Sequence, residues 1–167
     1  MSGSIPAAYF ITFRCFGTWL PGDDRGSVDR ENNQYNTPYL PPNRNRYQFS
    51  MARLSQSPVI LNDRQRALVE STIREVCDYR GWRLYAINVR TNHVHVVVTA
   101  DNTPERVMGD FKSYATRRLR EKNAISQSDR IWAQHGSTRY LWNWNHIKSA
   151  IHYVLYEQDE KPFYLEE

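Results

Sequence analysis

Two histidines separated by one residue stand at the head of an apolar run. In the stretch TNHVHVVVTA, residues 91–100, His93 and His95 flank Val94. In an extended strand, residues i and i+2 face the same side about 7 Å apart, so both imidazoles would point together. Imidazoles at that spacing can share a metal ion. The pair predicts a metal site, whereas a lone histidine at this position would more often be structural. Many metal-binding folds contain such a pair, so the motif alone does not identify the fold.

The residues around the pair indicate the strand that carries it. Val94, Val96 and Val98 alternate with the histidines, so they would face a core on the opposite side of the strand. The preceding stretch RLYAINV, residues 83–89, is a second apolar strand. We expect the two strands to form a hairpin with its turn near residues 90–92.

The rest of the chain alternates between strands and helices. A strand is predicted over 9–16, helices over 61–82 and 103–122, a strand over 137–144 and a last helix over 145–160. Asn62 or Asp63 can cap the first helix, and Thr103 followed by Pro104 can begin the second. The order β-α-β-β-α-β predicts a ferredoxin-like α+β fold, an antiparallel sheet with two helices on one face. The last helix is an addition to that fold.

A long polar segment follows the first predicted strand. Residues 23–58 are rich in Asn, Arg, Pro and Ser and show no sustained period. A connection of this length is usually functional or a surface insertion. Its aromatic residues and arginines could clamp a nucleic-acid strand, namely Tyr35, Tyr39, Tyr47, Phe49, Arg44, Arg46 and Arg53. No repeat or domain break is evident, so residues 1–167 are expected to form one domain.

The last helix could supply a reactive group beside the histidines. Its apolar stripe consists of Ile147, Ala150, Ile151, Val154 and Leu155. At about 100° per residue, Tyr153 falls on the flank of that stripe, whereas Tyr156 lies nearly opposite it. Glu157 follows Tyr153 by one turn on the same flank. An aromatic ring packed at the edge of the core is the alternative interpretation of Tyr153.

Composition sets wider limits. The 167 residues include 22 Lys+Arg and 18 Asp+Glu, a net charge of +4, which permits a nucleic-acid partner without requiring one. Cys15 and Cys77 fit no zinc spacing and are expected to be buried thiols. No apolar stretch is long enough for a signal peptide or a membrane span. We therefore expect a cytoplasmic protein with no membrane partner.

Several of these residues together resemble a known family. The motif NHVHVVV, the late helix segment IHYVLYEQ and the opening YFITFRCFGTWLPGDDRGSVDR resemble the HUH-type single-tyrosine transposases of bacterial insertion sequences and the related REP-associated tyrosine transposases. HUH denotes His, a bulky hydrophobic residue, and His, here His93, Val94 and His95. The resemblance extends from Tyr9 to about Gln158 and implies a bacterial, nucleoid-associated protein.

The resemblance implies an enzyme and assigns its parts. It implies metal-dependent cleavage and rejoining of single-stranded or hairpin DNA through a covalent 5′-phosphotyrosine, as in DNA transposition. Tyr153 would be the nucleophile, and His93, His95 and Glu157 would hold Mg²⁺ or Mn²⁺. Relatives often carry Gln or Asn at the third ligand position, so Gln158 is the alternative to Glu157. Tyr114 and Tyr156 are the other candidate nucleophiles.

The sequence allows more than one set of DNA contacts and more than one assembly. Lys112, Arg117, Arg118 and Arg120 could hold the phosphate backbone, or they could form a solvated helix face. Trp19 or Trp132 could stack bases. The chain could be a monomer or a homodimer, since the tyrosine helix of some relatives reaches the histidines of a partner chain. The main alternative function is a domesticated nucleic-acid-binding module that has lost cleavage; another metallohydrolase would need further histidines.

Overall fold

A computed structural model describes residues 5–18 and 40–158 of the chain. The elements of this part are β1 (Ala8–Arg14), α1 (Arg44–Ala52), α2 (Asp63–Arg80), β2 (Arg83–Val89), β3 (His93–Thr99), α3 (Pro104–Glu121), β4 (Ser137–Leu141) and α4 (Trp144–Tyr156). The strands form one sheet in the order β2-β3-β1-β4, and each neighbouring pair is antiparallel. The predicted ferredoxin-like α+β fold is confirmed.

The ends of the two long helices are defined by their sequence. The Asn62 side chain accepts a hydrogen bond from the Gln65 backbone N–H, and Gln65 returns one to the Asn62 backbone, a capping box that begins α2. Gly81 ends α2 in the left-handed conformation, with φ of 70°. Thr103 caps α3, and Pro104 occupies its first turn. The positions of Asn62, Thr103 and Pro104 agree with the prediction.

The sheet separates two apolar clusters. On one face, α2 and α3 pack on alternate strand residues that include Ile11, Phe13, Val94 and Val96. On the other face, α4 packs through Ile147, Ala150 and Val154 on Ala8, Phe10, Ala86 and Val97. The added helix therefore covers the sheet face opposite to α2 and α3.

The structure differs from the prediction at two connections. Helix α1 lies within the segment predicted to be irregular; it has no buried residue, so it lacks the apolar period that would have revealed it. The last strand ends at Leu141, because the Asn143 side chain accepts a hydrogen bond from the His146 backbone N–H at 3.0 Å and begins α4 there. Residues 23–39 of the polar segment lie outside the described residues.

The remaining general expectations concern cysteines and membranes. Cys15 and Cys77 are buried free thiols, as predicted, and burial raises the pKa of each to about 12. Among the residues that the structure describes, no helix has the length and apolarity that a membrane crossing requires.

Candidate active site

The two histidines face α4. In the antiparallel register of β1 and β3, His93 lies opposite Arg14 and His95 lies opposite Thr12. The imidazole rings of His93 and His95 contact each other with centroids 4.7 Å apart. Side chains that alternate with them belong to the cluster under α2 and α3, so the pleat of β3 places both imidazoles on the α4 face.

His95 is held in a defined orientation and kept neutral. Its Nδ1 lies 2.8 Å from the Thr12 hydroxyl across the sheet. Burial lowers the pKa of His95 to about 3, and the charges of His93, Arg14 and Arg90 act in the same direction. The imidazole is therefore uncharged near neutral pH, which leaves a ring nitrogen lone pair free to bind a metal ion.

Helix α4 places Tyr153 beside this pair. The Tyr153 ring centroid lies 5.7 Å from that of His95 and 5.9 Å from that of Phe10. The side chain of Tyr153 remains 39% exposed, so a substrate can reach it. One residue further, the Val154 carbonyl accepts a hydrogen bond of 3.0 Å from the fully buried amide of Asn88 on β2. That bond fixes the last turn of α4 against the sheet.

The two residues considered as a third ligand point in different directions. The side chain of Gln158 hydrogen-bonds His95. This bond raises the pKa of His95, whereas burial and the neighbouring charges lower it. The Glu157 carboxylate instead lies 3.0 Å from Nδ1 of His152, an exposed hydrogen-bond contact on the outer side of α4. Gln158 is thus the residue that reaches the histidine pair in this structure.

The other two tyrosines lie elsewhere. Tyr156 is 59% exposed, and its ring packs against His152 with centroids 5.3 Å apart. Tyr114 packs against the cluster under α2 and α3, on the opposite face of the sheet, beneath the Arg117 guanidinium at 5.3 Å. Of these three tyrosines, Tyr153 is the one whose ring contacts the histidine pair among the described residues.

The basic residues of α3 also lie on the opposite face of the sheet, and three of them have partners within the chain. Lys112 donates a hydrogen bond of 3.0 Å to the Ala133 carbonyl, and burial lowers its pKa. Arg118 forms an ion pair of 2.6 Å with Glu75, and Arg120 donates to the Asp129 carbonyl at 3.0 Å. Arg117 is exposed and stacks on Tyr114.

Of the aromatic residues considered for base stacking, Trp132 is packed in the core. It is 8% exposed, and its indole N–H donates to the Lys112 carbonyl at 3.2 Å. Tyr47 and Phe49 are exposed on α1, together with the arginines of that segment. Trp19, Tyr35 and Tyr39 lie outside the described residues.

Three neighbours of the site were not singled out in the sequence. Thr12 and Asn88 are polar residues inside apolar strands, which is the only signal that could have identified them. Arg14 lies opposite His93 and brings a positive charge close enough to lower the pKa of His95. Their relation to the histidines depends on strand register, which one sequence does not provide.

The donors present can form a site for a divalent ion only if an amide takes part. Within residues 5–18 and 40–158, no group of three His, Cys, Asp or Glu side chains is close enough to hold a metal ion. Two imidazole nitrogens and the Gln158 amide oxygen are nevertheless ligands that Mn²⁺ accepts, and Mg²⁺ less readily. The residues at this position therefore fit a weakly held, exchangeable cation.

Comparisons with known proteins agree with this fold. A REP-associated tyrosine transposase solved bound to a REP hairpin matches with a TM-score of 0.52 and 14% identity over 92% of this chain and 68% of that one. A candidate transposase of Deinococcus radiodurans matches with a TM-score of 0.50 and 11% identity over 89% of each chain. No curated protein sequence matches this one.

The fold is that of the tyrosine transposases. Residues 45–144 match the family described as Transposase IS200 like. The chain belongs to this family of transposases, as the resemblance in its sequence indicated, and the coarse function is that of a DNA-cleaving and rejoining enzyme. The matched region contains His93 and His95 and ends before Tyr153.

Proposed function

We propose that this protein is a metal-dependent single-stranded DNA endonuclease and strand transferase that acts at DNA hairpins through a covalent 5′-phosphotyrosine. The observation that carries the proposal is the contact of the Tyr153 ring with His95, the second histidine of the pair, within one chain. A nucleophile beside a candidate cation site is the arrangement that phosphodiester cleavage needs.

Tyr153 is the proposed nucleophile. Its phenol oxygen attacks the scissile phosphorus, so that an O–P bond to Tyr153 forms while the bond from phosphorus to the 3′ oxygen breaks. The phenol proton is lost, the 3′ oxygen leaves as a hydroxyl, and the phosphate stays on the 5′ side of the break. A 3′-hydroxyl can reverse these steps, so joining conserves the number of phosphoester bonds and needs no nucleotide triphosphate.

His93, His95 and Gln158 are the proposed holders of Mg²⁺ or Mn²⁺, with Glu157 as the less favoured third ligand. When bound, such an ion polarises the scissile phosphate and lowers the cost of its developing charge. Thr12 orients His95 through the hydrogen bond to Nδ1, which leaves Nε2 for the cation. Asn88 holds the turn of α4 that carries Tyr153.

Positive charge near the site supports a nucleic-acid substrate. Arg14 and Arg90 are close enough to His95 to affect its pKa, and the same field would attract a phosphate. The hairpin in the related solved complex supports hairpin DNA as the partner. On the opposite face, Lys112, Arg117, Arg118 and Arg120 remain candidates for backbone contacts, and Arg117 has the most accessible guanidinium among them.

The experiment that tests this function is cleavage of labelled hairpin DNA with a single-stranded flank, taken from repeats near the gene. We expect Mn²⁺ or Mg²⁺ to support cleavage that leaves a free 3′-hydroxyl, which a terminal transferase can extend. His93→Ala should lower the rate by at least roughly a hundredfold, because an imidazole ligand is lost. Tyr79→Phe on α2, with an 82% exposed ring, is the matched control and should cleave normally.

Two results would contradict the proposal. Cleavage that continues in excess chelator would show that the reaction does not need a metal ion. Tight hairpin binding without cleavage at any metal concentration would instead support the nucleic-acid-binding module.

A further inference from the structure

An exposed aromatic and cationic patch lies at the other end of α4. Trp144, the first residue of α4, is 55% exposed, and its ring centroid lies 6.1 Å from that of Tyr85 on β2. The Arg83 guanidinium lies 5.0 Å from the Tyr85 ring centroid. Lys148 follows Trp144 by four residues, so it lies one turn further along the same side of the helix. We call these four residues, Arg83, Tyr85, Trp144 and Lys148, the aromatic patch.

The two cations of the aromatic patch have no ion-pair partner in the part of the chain that the structure describes. Within the described residues, neither Arg83 nor Lys148 forms an ion pair, whereas Arg80, Arg106 and Arg118 each do. Both side chains are exposed. A positive surface with free aromatic rings suits a polyanion that has unstacked bases.

The aromatic patch lies on the same sheet face as the candidate active site. Tyr85 packs against the cluster beneath α4, the helix that brings Tyr153 to His95. Trp144 and Tyr153 are nine residues apart, about 13 Å along the helix axis. Nine residues turn the helix by about 900°, so Trp144 and Tyr153 lie on opposite flanks of α4. Lys148 and His152 are both exposed, follow Trp144 at intervals of four residues and lie between these flanks, on the solvent side that a strand joining them would cross.

We propose that the aromatic patch binds unpaired bases of the DNA strand whose phosphate reaches Tyr153. Trp144 provides the stacking surface, and Arg83 and Lys148 bind the adjoining phosphates. Duplex DNA hides its base faces, so the patch selects the single-stranded flank over the hairpin stem. The continuity of the strand with Tyr153 rests on the proposed function, but binding of single strands by the patch does not.

The test compares two exposed tryptophans that are two residues apart. Trp142 is 46% exposed, and its ring contacts Tyr140, which lies opposite Tyr9 at the far edge of the sheet from Tyr85. The probe is a fluorescein-labelled oligothymidine of about twelve nucleotides, a length that single-strand-binding sites accommodate. Fluorescence anisotropy measures its affinity for the full chain and for each variant, after thermal unfolding has shown that each variant folds.

Trp144→Ala should weaken binding of the oligothymidine roughly tenfold, the usual effect of removing one stacking ring. Trp144→Phe should retain most of the affinity, and Trp142→Ala should remain within about twofold of the unchanged protein. Arg83→Ala should weaken binding and reduce its dependence on salt concentration. A duplex of the same length should bind equally to Trp144→Ala and to the unchanged protein.

The proposal is overturned if Trp144→Ala binds the single strand normally, or if Trp142→Ala weakens binding as much. Its failure is distinct from failure of the proposed function. Trp142→Ala, outside the patch, should cleave as the unchanged protein does, whereas Trp144→Ala should need a higher DNA concentration to reach the same rate. If the unchanged protein does not cleave at all, the oligothymidine affinities of Trp144→Ala and Trp142→Ala still decide whether the patch binds single strands.

Discussion

His95 is the most constrained side chain of the candidate site. It is 6% exposed, its Nδ1 contacts the Thr12 hydroxyl, and its ring lies between those of His93, Phe10 and Tyr153. The Gln158 side chain approaches the same ring from the end of α4. At the scale of single residues, the open question is therefore which side chain at the end of α4 completes the cation site.

Gln158→Ala and Glu157→Ala provide a matched pair for this question. We expect Gln158→Ala to weaken Mn²⁺ binding by roughly tenfold or more, because it removes the amide that reaches His95. Glu157→Ala should change Mn²⁺ affinity little, since its carboxylate is paired with His152. Electron paramagnetic resonance of free Mn²⁺ measures both affinities without DNA. If Glu157→Ala instead weakened Mn²⁺ binding and Gln158→Ala did not, Glu157 would be the ligand.

At the scale of elements, α4 determines whether the nucleophile and the histidines meet. Its apolar stripe buries Ile147, Ala150 and Val154 on the sheet, and the Asn88 amide holds its last turn. Asn88 lies opposite His95 in the register of β2 and β3, so one strand pair positions both parts of the site. A shift of α4 would separate Tyr153 from His95 without altering the rest of the fold.

Asn88→Ala should loosen that helix selectively. Loss of the buried hydrogen bond to the Val154 carbonyl should cost about 1–3 kcal/mol of unfolding free energy. Hydrogen exchange should accelerate in α4 more than in α2 or α3, which pack on the other face. Asn102→Ala, at an exposed loop position, is the control and should change the free energy by less than about 0.5 kcal/mol. Equal acceleration in all three helices would show that Asn88 supports the whole fold instead.

At the scale of the whole molecule, the sheet divides the surface into two sides. The histidine pair, Tyr153 and the aromatic patch share the α4 side, whereas the basic residues of α3 lie on the other. A DNA hairpin that used both sides would have to pass around an edge of the sheet. A single strand that ends at Tyr153 could bind entirely on the α4 side.

The fold was predictable because its signals are local. Caps at Asn62 and Thr103, the alternation around His93 and the apolar stripe of the last helix each indicate an element within a few residues. Helix α1 was missed because it buries no residue and so has no apolar period.

The site was less predictable because it depends on contacts distant in sequence. The pairing of Thr12 with His95 joins residues 83 apart, and the bond from Asn88 to Val154 joins residues 66 apart. Whether Glu157 or Gln158 turns towards the histidines depends on how α4 ends, since Glu157 already stands at its C-cap. The ion pair of Arg118 with Glu75 likewise joins two helices, so the residue pattern of α3 alone does not indicate it.

The most direct measurement is the identity of the residue that becomes bonded to DNA. The protein would be incubated with hairpin DNA and Mn²⁺, separated on a denaturing gel, digested, and the peptide carrying a nucleotide identified by mass spectrometry. The account predicts one adduct, on Tyr153, that is absent in Tyr153→Phe and present in Tyr156→Phe, because Tyr153 alone of these two contacts His95. An adduct on Tyr156 or Tyr114, or cleavage with no adduct, would contradict it.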